Sequence, residues 1–299
     1  MIDPVAFEIG PLQLHWYGII IAGAVLIAGL LGTRVATWLG EDPEEGWSML
    51  LLVMVLGIIG ARVYHVIHLW EYYAANPIEI PQIWNGGIGI PGGIAGGALG
   101  ILLYTRSRGI NTARWFDIWA VSLLLGQVIG RLGNFVNQEL YGPPTTLCGT
   151  ELPPCLPFGI QIDAAHRTGT PWTADQFPFE TTQFVPLFAY EMALNLLGIA
   201  VLLFVMRRFG SRLFAGDVTL MYLMWYGAVR TFLETYRVNN WTILGVPTAM
   251  WVGILAFFLA AVWLVYRHRR GWGSPLFRPA EEREPEAPAT GAQPEATTG

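Results

Sequence analysis

Residues 118–142 read IWAVSLLLGQVIGRLGNFVNQELYG. Ile118 to Ile129 form a long apolar run, and close behind it come Arg131, Asn134, Asn137, Gln138 and Glu139. Extended over Phe116–Arg131, the run reads as a membrane-spanning helix. Charge beside lipid is costly, so an ionisable cluster closing such a helix marks a functional site by default.

The rest of the chain agrees with that setting. Hydrophobic residues make up 53% of it and charged residues 13%, which excludes a soluble globular protein. The chain reads as an all-α integral membrane protein with about seven transmembrane helices. The predicted spans are Trp16–Ala36, Ser48–Leu69, Ile88–Leu103, Phe116–Arg131, Pro186–Met206, Asp217–Tyr236 and Val246–Tyr266. Met1 to His15 lacks a basic stretch and a cleavage site, so the first span is expected to be an anchor. No internal repeat is visible, which speaks against an inverted-repeat transporter.

Arginine placement predicts orientation. All 17 basic residues are arginine, and they cluster at Arg106, Arg108 and Arg114, at Arg207, Arg208 and Arg212, and at Arg267, Arg269 and Arg270. By the positive-inside rule those three ends are cytoplasmic, which leaves the N-terminus and residues 70–87, 138–185 and 237–245 outside. The link between the first two spans fits less well, because it holds Glu41, Asp42, Glu44 and Glu45. The net charge of −5 owes much to loops and a Glu-rich tail, and no nucleic-acid partner is expected.

Residues 1–271 are read as one membrane domain and 272–299 as a disordered cytoplasmic tail, rich in Pro, Glu, Ala and Thr. Within the domain, residues 138–185 form the largest external piece, expected to be an ordered cap. It carries the two cysteines, Cys148 and Cys155, which an oxidising exterior would allow to pair as a staple.

Further charges sit within or beside the spans: Arg62, Glu191, Arg230, Glu234 and Arg237. Spacings of four and three put Arg230, Glu234 and Arg237 on one helix face. Gln127, Arg131, Asn134 and Gln138 repeat the pattern if their helix continues past Gly133. Two readings stand: ion pairs that lock helices together, such as Glu234 with Arg131 or Arg62, or arginine forks converging on a lipid phosphate. The stretch Asn85 to Gly100 is half glycine, which suits either a half-helix aimed at an anion or close helix packing. His15-Trp16-Tyr17-Gly18 opens the first span at the outer interface, where aromatic residues anchor and Tyr17 and His15 are within reach of a cavity. His65 and His68 show no metal-ligand pattern, and no motif calls for a metal or cofactor.

The order G-R-x-G-N-F-x-N-x-E-x-x-G over Gly130–Gly142 closely resembles the signature of the bacterial prolipoprotein diacylglyceryl transferases. Other pieces resemble that family in the same order: Leu14 to Gly18, Gly60-Ala61-Arg62 with Tyr64, Gly86-Gly87, Gly92-Gly93-Ile94, Pro186 with Tyr190-Glu191, and Tyr226 to Arg230 with Glu234 and Arg237. The resemblance spans about residues 10 to 266. It implies a multi-pass enzyme of the bacterial cytoplasmic membrane. Such an enzyme moves a diacylglyceryl group from phosphatidylglycerol to the lipobox cysteine of a preprolipoprotein signal peptide. It further implies that Arg131 holds the lipid headgroup and Arg230 stabilises the departing phosphate. Glu234 would orient the arginines, while Asn134, Asn137, Glu139 and Gly142 shape the site. Tyr17 is a further candidate, and Arg62 and Arg237 are expected to help bind substrate. Two family histidines are absent, being Pro91 and Val185 here. Glu139, His15, or no dedicated base with the arginines lowering the thiol pKa, remain as alternatives. A lipid or anion transporter, or an inactive relative, is the competing reading.

Overall fold

The computed structural model describes residues 5–9, 12–149, 158–167, 170–237 and 241–279. A hairpin of β1 (Val5–Ile9) and β2 (Leu12–His15) leads into α1 (Trp16–Leu39) and α2 (Pro43–His68). There follow α3 (Trp70–Ala75), α4 (Ile90–Arg108) and α5 (Thr112–Val136). The described chain continues with α6 (Leu187–Phe209), α7 (Asp217–Glu234), a hairpin of β3 (Thr242–Ile243) and β4 (Val246–Pro247), and α8 (Thr248–Arg270). Each predicted span corresponds to a long helix, and the molecule is an all-α membrane protein.

Among the described residues, five helices are long and apolar enough to cross a bilayer: α1, α2, α5, α8, and α6 with the turn that follows it. The other two, α4 and α7, have 19 and 18 residues. That is about 27–29 Å of helix, close to the hydrocarbon thickness of roughly 30 Å. Glycine dilutes the apolar character of α4, and charge that of α7.

Local chemistry explains the ends. Asp42 accepts from the Glu44 amide at 2.9 Å with Pro43 in the first turn, so α2 starts five residues earlier than its apolar run at Ser48. Asn111 likewise caps α5 through the Arg114 amide at 3.1 Å. Gly40, at φ 86°, closes α1 in the left-handed conformation.

The helix α5 is the hub, packed against α1, α4, α6 and α7, with Trp115, Ile118, Val121 and Leu124 fully buried. Beside it α2 and α4 touch backbone to backbone. A Cβ on Gly92 would lie 2.1 Å from the Gly60 carbonyl oxygen, and one on Gly96 would lie 2.1 Å from that of Leu56. Of the two readings of the glycine stretch, close packing is therefore the one observed. Its helix runs unbroken from Ile90, with Pro91 harmless in the first turn.

At the arginine-rich end, the acidic link between α1 and α2 finds its partners. Glu41 forms a buried ion pair with Arg114, and Glu45 meets Arg108 at 2.7 Å and the Tyr104 hydroxyl at 2.6 Å. The acids that fit the orientation rule poorly are thus matched by arginines flanking the α4–α5 loop.

The expected free tail needs correction in its first residues. Ala215 donates to the Ser274 carbonyl at 2.8 Å, and Leu276 donates to Leu213 at 3.0 Å. Arg114 Nε donates to the Leu276 carbonyl at 2.7 Å, Leu276 is fully buried, and Phe277 packs edge-on to Trp38. Residues 271–279 are thereby strapped across the bundle end, because Leu276 and Phe277 carry enough apolar surface to be pulled in. Residues 280–299 lie outside the described part.

Among its described residues, the cap folds around Arg167. That guanidinium donates to the carbonyls of Ile162 and Phe177 and stacks on Phe184. Cys148 is disulfide-bonded, and Cys155, the chain's other cysteine, lies outside the described residues.

Candidate active site

The polar end of α5 builds the site. The helix continues past Gly133 to Val136, so Gln127, Arg131 and Asn134 share one face. Arg131 Nη1 donates to Asn134 Oδ1 at 3.0 Å, and Nη2 to Glu191 Oε1, on α6, at 2.5 Å. Its Nε is buried with no hydrogen-bond partner. One turn deeper the same two helices meet again, where Asn195 donates to Gln127 at 3.3 Å and Gln127 to the Tyr222 hydroxyl of α7 at 3.1 Å. Glu191 and Asn195 stand four apart on α6, matching Arg131 and Gln127 on α5. The two polar faces therefore lie against each other.

Glu139 stands just beyond the helix end. Its amide donates to the Asn134 carbonyl at 2.8 Å, and its two carboxylate oxygens accept from Asn134 and Asn137, each at 3.4 Å. On either side of it, Gln138 (φ 51°) and Leu140 (φ 55°) adopt the left-handed conformation. Side chains with a Cβ rarely do so, and such strain gathers at functional sites. Gln138 thus leaves the polar face on which it was expected and turns toward the cap.

The second group sits on α7. Glu234, nearly fully buried, lies between Arg230 at 3.0 Å and Arg237 at 3.7 Å, as the four-and-three spacing predicts. Burial first, and then the charge of Arg230, pulls the Arg237 guanidinium below its usual pKa; Arg131 and Glu191 act on it more weakly. The two groups thus share one electrostatic field. Close approach to α8 holds α7 in place, since a Cβ on Gly227 would lie 2.4 Å from the Gly253 carbonyl oxygen.

Tyr17 packs on α5 within the signature, its ring lying on Gly133 so closely that a Cβ there would come within 2.6 Å. Gly142 acts through the backbone. Its amide donates to Val185 at 2.7 Å, and a Cβ would crowd Val185, Leu187 and the Tyr236 carbonyl at 3.2–3.3 Å. Arg62 is the exception. Its guanidinium donates to four backbone carbonyls, of Glu79, Ile80, Gly86 and Gly87, at 2.6–2.9 Å, and stacks on Tyr73. It clamps the α3–α4 loop, which leaves it one N–H. Neither absent histidine position offers a base: Pro91 is in the first turn of α4, and Val185 is fully buried.

Of the ion pairs that the sequence leaves open, such as Glu234 with Arg131 or Arg62, neither is the one Arg131 makes; its partner is Glu191. Asp163, which holds Gln138, was not singled out. Its only signal was an acidic residue in a segment facing the signature.

The arrangement gathers three guanidinium groups around two buried carboxylates, Glu191 and Glu234. One positive charge is left over, with Glu139 exposed at the rim. A monoanionic phosphate fits that balance.

A family model described as prolipoprotein diacylglyceryl transferase matches residues 4–266. A protein of Chloroflexus aggregans named phosphatidylglycerol–prolipoprotein diacylglyceryl transferase is 38% identical over 291 residues, 92% of each chain. One of Streptococcus equi subsp. zooepidemicus, bearing the same name, is 36% identical over 270 residues, covering 90% of this chain and 97% of its own.

Proposed function

The chain belongs to the prolipoprotein diacylglyceryl transferase family, and from that premise we propose how its own residues carry the reaction. The protein is an enzyme that transfers the diacylglyceryl group of phosphatidylglycerol to the lipobox cysteine thiol of a preprolipoprotein. A carbon–sulfur bond forms, the carbon–oxygen bond to phosphate breaks, and glycerol phosphate leaves. The thiol proton ends on the departing phosphate or in solvent, and the product is a thioether.

Two demands follow from displacement at a saturated carbon: the thiol must become a thiolate, and the charge growing on the leaving phosphate must meet preorganised donors. The observation that carries the reading is the pair of arginine groups, each anchored by a buried carboxylate with donors left over. In this reading Arg131, steadied by Glu191 and Asn134, holds the headgroup phosphate. Arg230, fixed by Glu234, takes up the charge as the phosphate departs, and Arg237 adds to the field. Asn134 and Asn137 serve the glycerol hydroxyls or ester carbonyls. Glu139 is the carboxylate best exposed to the incoming thiol.

The same reading places seven spans in the bacterial cytoplasmic membrane, with the site and cap outside and the arginine-rich end inside. Supporting it are the lengths of α4 and α7 and the pairing of Glu41 and Glu45 with arginines at one end.

The test uses purified protein, phosphatidylglycerol vesicles and a lipobox peptide, following the peptide's mass. Gain of one diacylglyceryl group, lost in Arg131→Ala, is the expected result. Folded, lipid-bound protein that leaves the peptide unchanged would turn the assignment toward a lipid binder.

A further inference from the structure

Glu139 is the exposed carboxylate of the site, yet the backbone that presents it is strained on both sides. Something must hold that conformation, because a left-handed glutamine relaxes readily when unsupported. The support comes from the cap. Gln138 Nε2 donates to Asp163 Oδ2 at 2.6 Å, and the Asp163 backbone amide donates to Gln138 Oε1 at 2.8 Å. One primary amide is thus gripped at both ends by one residue, 25 positions along the chain. Asp163 precedes a single 3-10 turn, Ala164–His166, and its side chain makes no capping bond there. Its carboxylate is given to Gln138 instead, with His166 Nδ1 at 4.0 Å from the same oxygen. The turn is fixed in its own right: the Tyr141 hydroxyl donates to the His166 carbonyl at 3.0 Å, and Arg167 is buried in the cap.

We propose that Asp163 and Gln138 form a positioning clasp. Through it the cap holds Gln138 left-handed and so presents the Glu139 carboxylate between Asn134 and Asn137. The inference rests on the transferase reading for its effect on turnover, but the clasp itself is a statement about conformation. Neither residue touches the phosphate in this scheme; both act through Glu139. The ion pair of Arg131 with Glu191 does not pass through the clasp, so the hold on the headgroup phosphate is kept when it breaks.

The experiment compares full-length Asp163→Ala, Asp163→Asn, Gln138→Gly and the double variant Gln138→Gly/Asp163→Ala with the wild type. Steady-state transfer to a lipobox peptide is measured, and amide exchange at Glu139 is followed by mass spectrometry. Asp163→Ala is expected to lower kcat about tenfold at unchanged KM for phosphatidylglycerol and to speed exchange of the Glu139 amide. Asp163→Asn keeps an acceptor for Gln138 and should stay near wild type. Glycine at 138 adopts the left-handed conformation without support, so the double variant should recover most of the loss. Unchanged kcat and exchange in Asp163→Ala would overturn the clasp. So would a loss that Gln138→Gly fails to relieve, which would give Asp163 a general role in cap folding. A wild type with no transfer would overturn the transferase reading alone, and the exchange comparison would still decide the clasp.

Discussion

Arg131 and Arg230 carry the same charge but are held in different ways, and their substitutions should fail differently. Arg230 is paired within its own helix, one turn from Glu234 at 3.0 Å. Lysine there keeps a charge and loses the planar fork. Arg230→Lys is therefore expected to abolish transfer while phospholipid binding partly survives, read by peptide mass and by lipid co-purification. Wild-type turnover would remove Arg230 from the mechanism. Arg131 instead depends on Glu191 across the α5–α6 interface. Glu191→Gln keeps a side-chain acceptor but leaves the guanidinium without its counter-charge. Breaking a buried pair costs about 3–5 kcal/mol, and the partial exposure of Arg131 reduces that figure. Transfer should fall at least tenfold and the unfolding temperature should drop; an unchanged unfolding temperature would argue that the pair is not formed. Helical spacing made Arg230, Glu234 and Arg237 legible as one face before any coordinates, because their contacts are local. It could not reveal that Arg131 pairs with Glu191, since the period of one helix says nothing of its neighbour's rotation. Arg62 shows the same limit. A charge within a span must turn from lipid, but the sequence does not show that four loop carbonyls are waiting for it.

Among the elements, the α2–α4 pair offers the sharpest test of packing. Gly92, Gly96 and Gly100 stand at intervals of four along α4, all buried, and face the backbone of α2. A methyl at Gly96 would come within 2.1 Å of the Leu56 carbonyl oxygen, whereas one at Gly97 would meet only the Val53 side chain at 3.6 Å. Gly96→Ala must push the helices apart, and overpacking of this kind costs about 1–3 kcal/mol. Gly97→Ala is expected to leave the unfolding temperature in detergent unchanged, while Gly96→Ala lowers it by several degrees. Equal behaviour of the two would mean that the backbones are not in contact. The glycine run stands out in the sequence but suits two readings; only the partner's position decides between an anion site and a close helix pair. Helix ends were legible to within a few residues where a cap is written in the chain, as with Asp42-Pro43 before α2. Where an apolar run is the only signal, they are not.

At the scale of the whole molecule, α5 connects two polar ends with different tasks. Arg131 looks into the site, and Arg114, 17 residues earlier in the sequence and about 25 Å along the helix, binds Glu41 and the carbonyls of Pro275 and Leu276. The strap formed by residues 271–279 therefore belongs to the folded bundle, although its composition reads as tail. Apolar residues such as Leu276 and Phe277 are too few to stand out there, and the acceptors that Arg114 uses are backbone oxygens, which no side-chain pattern announces. Two truncations separate strap from tail. A chain ending at Pro279 keeps every contact described and should match the full-length protein in unfolding temperature. A chain ending at Arg270 exposes the site of a fully buried leucine and strips two carbonyl acceptors from a buried guanidinium. Each lost acceptor costs about 1–3 kcal/mol, and the leucine a further 1.5–3 kcal/mol. The shorter chain should unfold well below the longer one in the same detergent. Transfer per folded molecule should nevertheless stay within about threefold of the full-length value, because Glu191, Asn134 and Glu139 keep their places at the far end of a rigid helix. A loss of transfer exceeding the loss of folded protein would show instead that α5 couples the strap to the site.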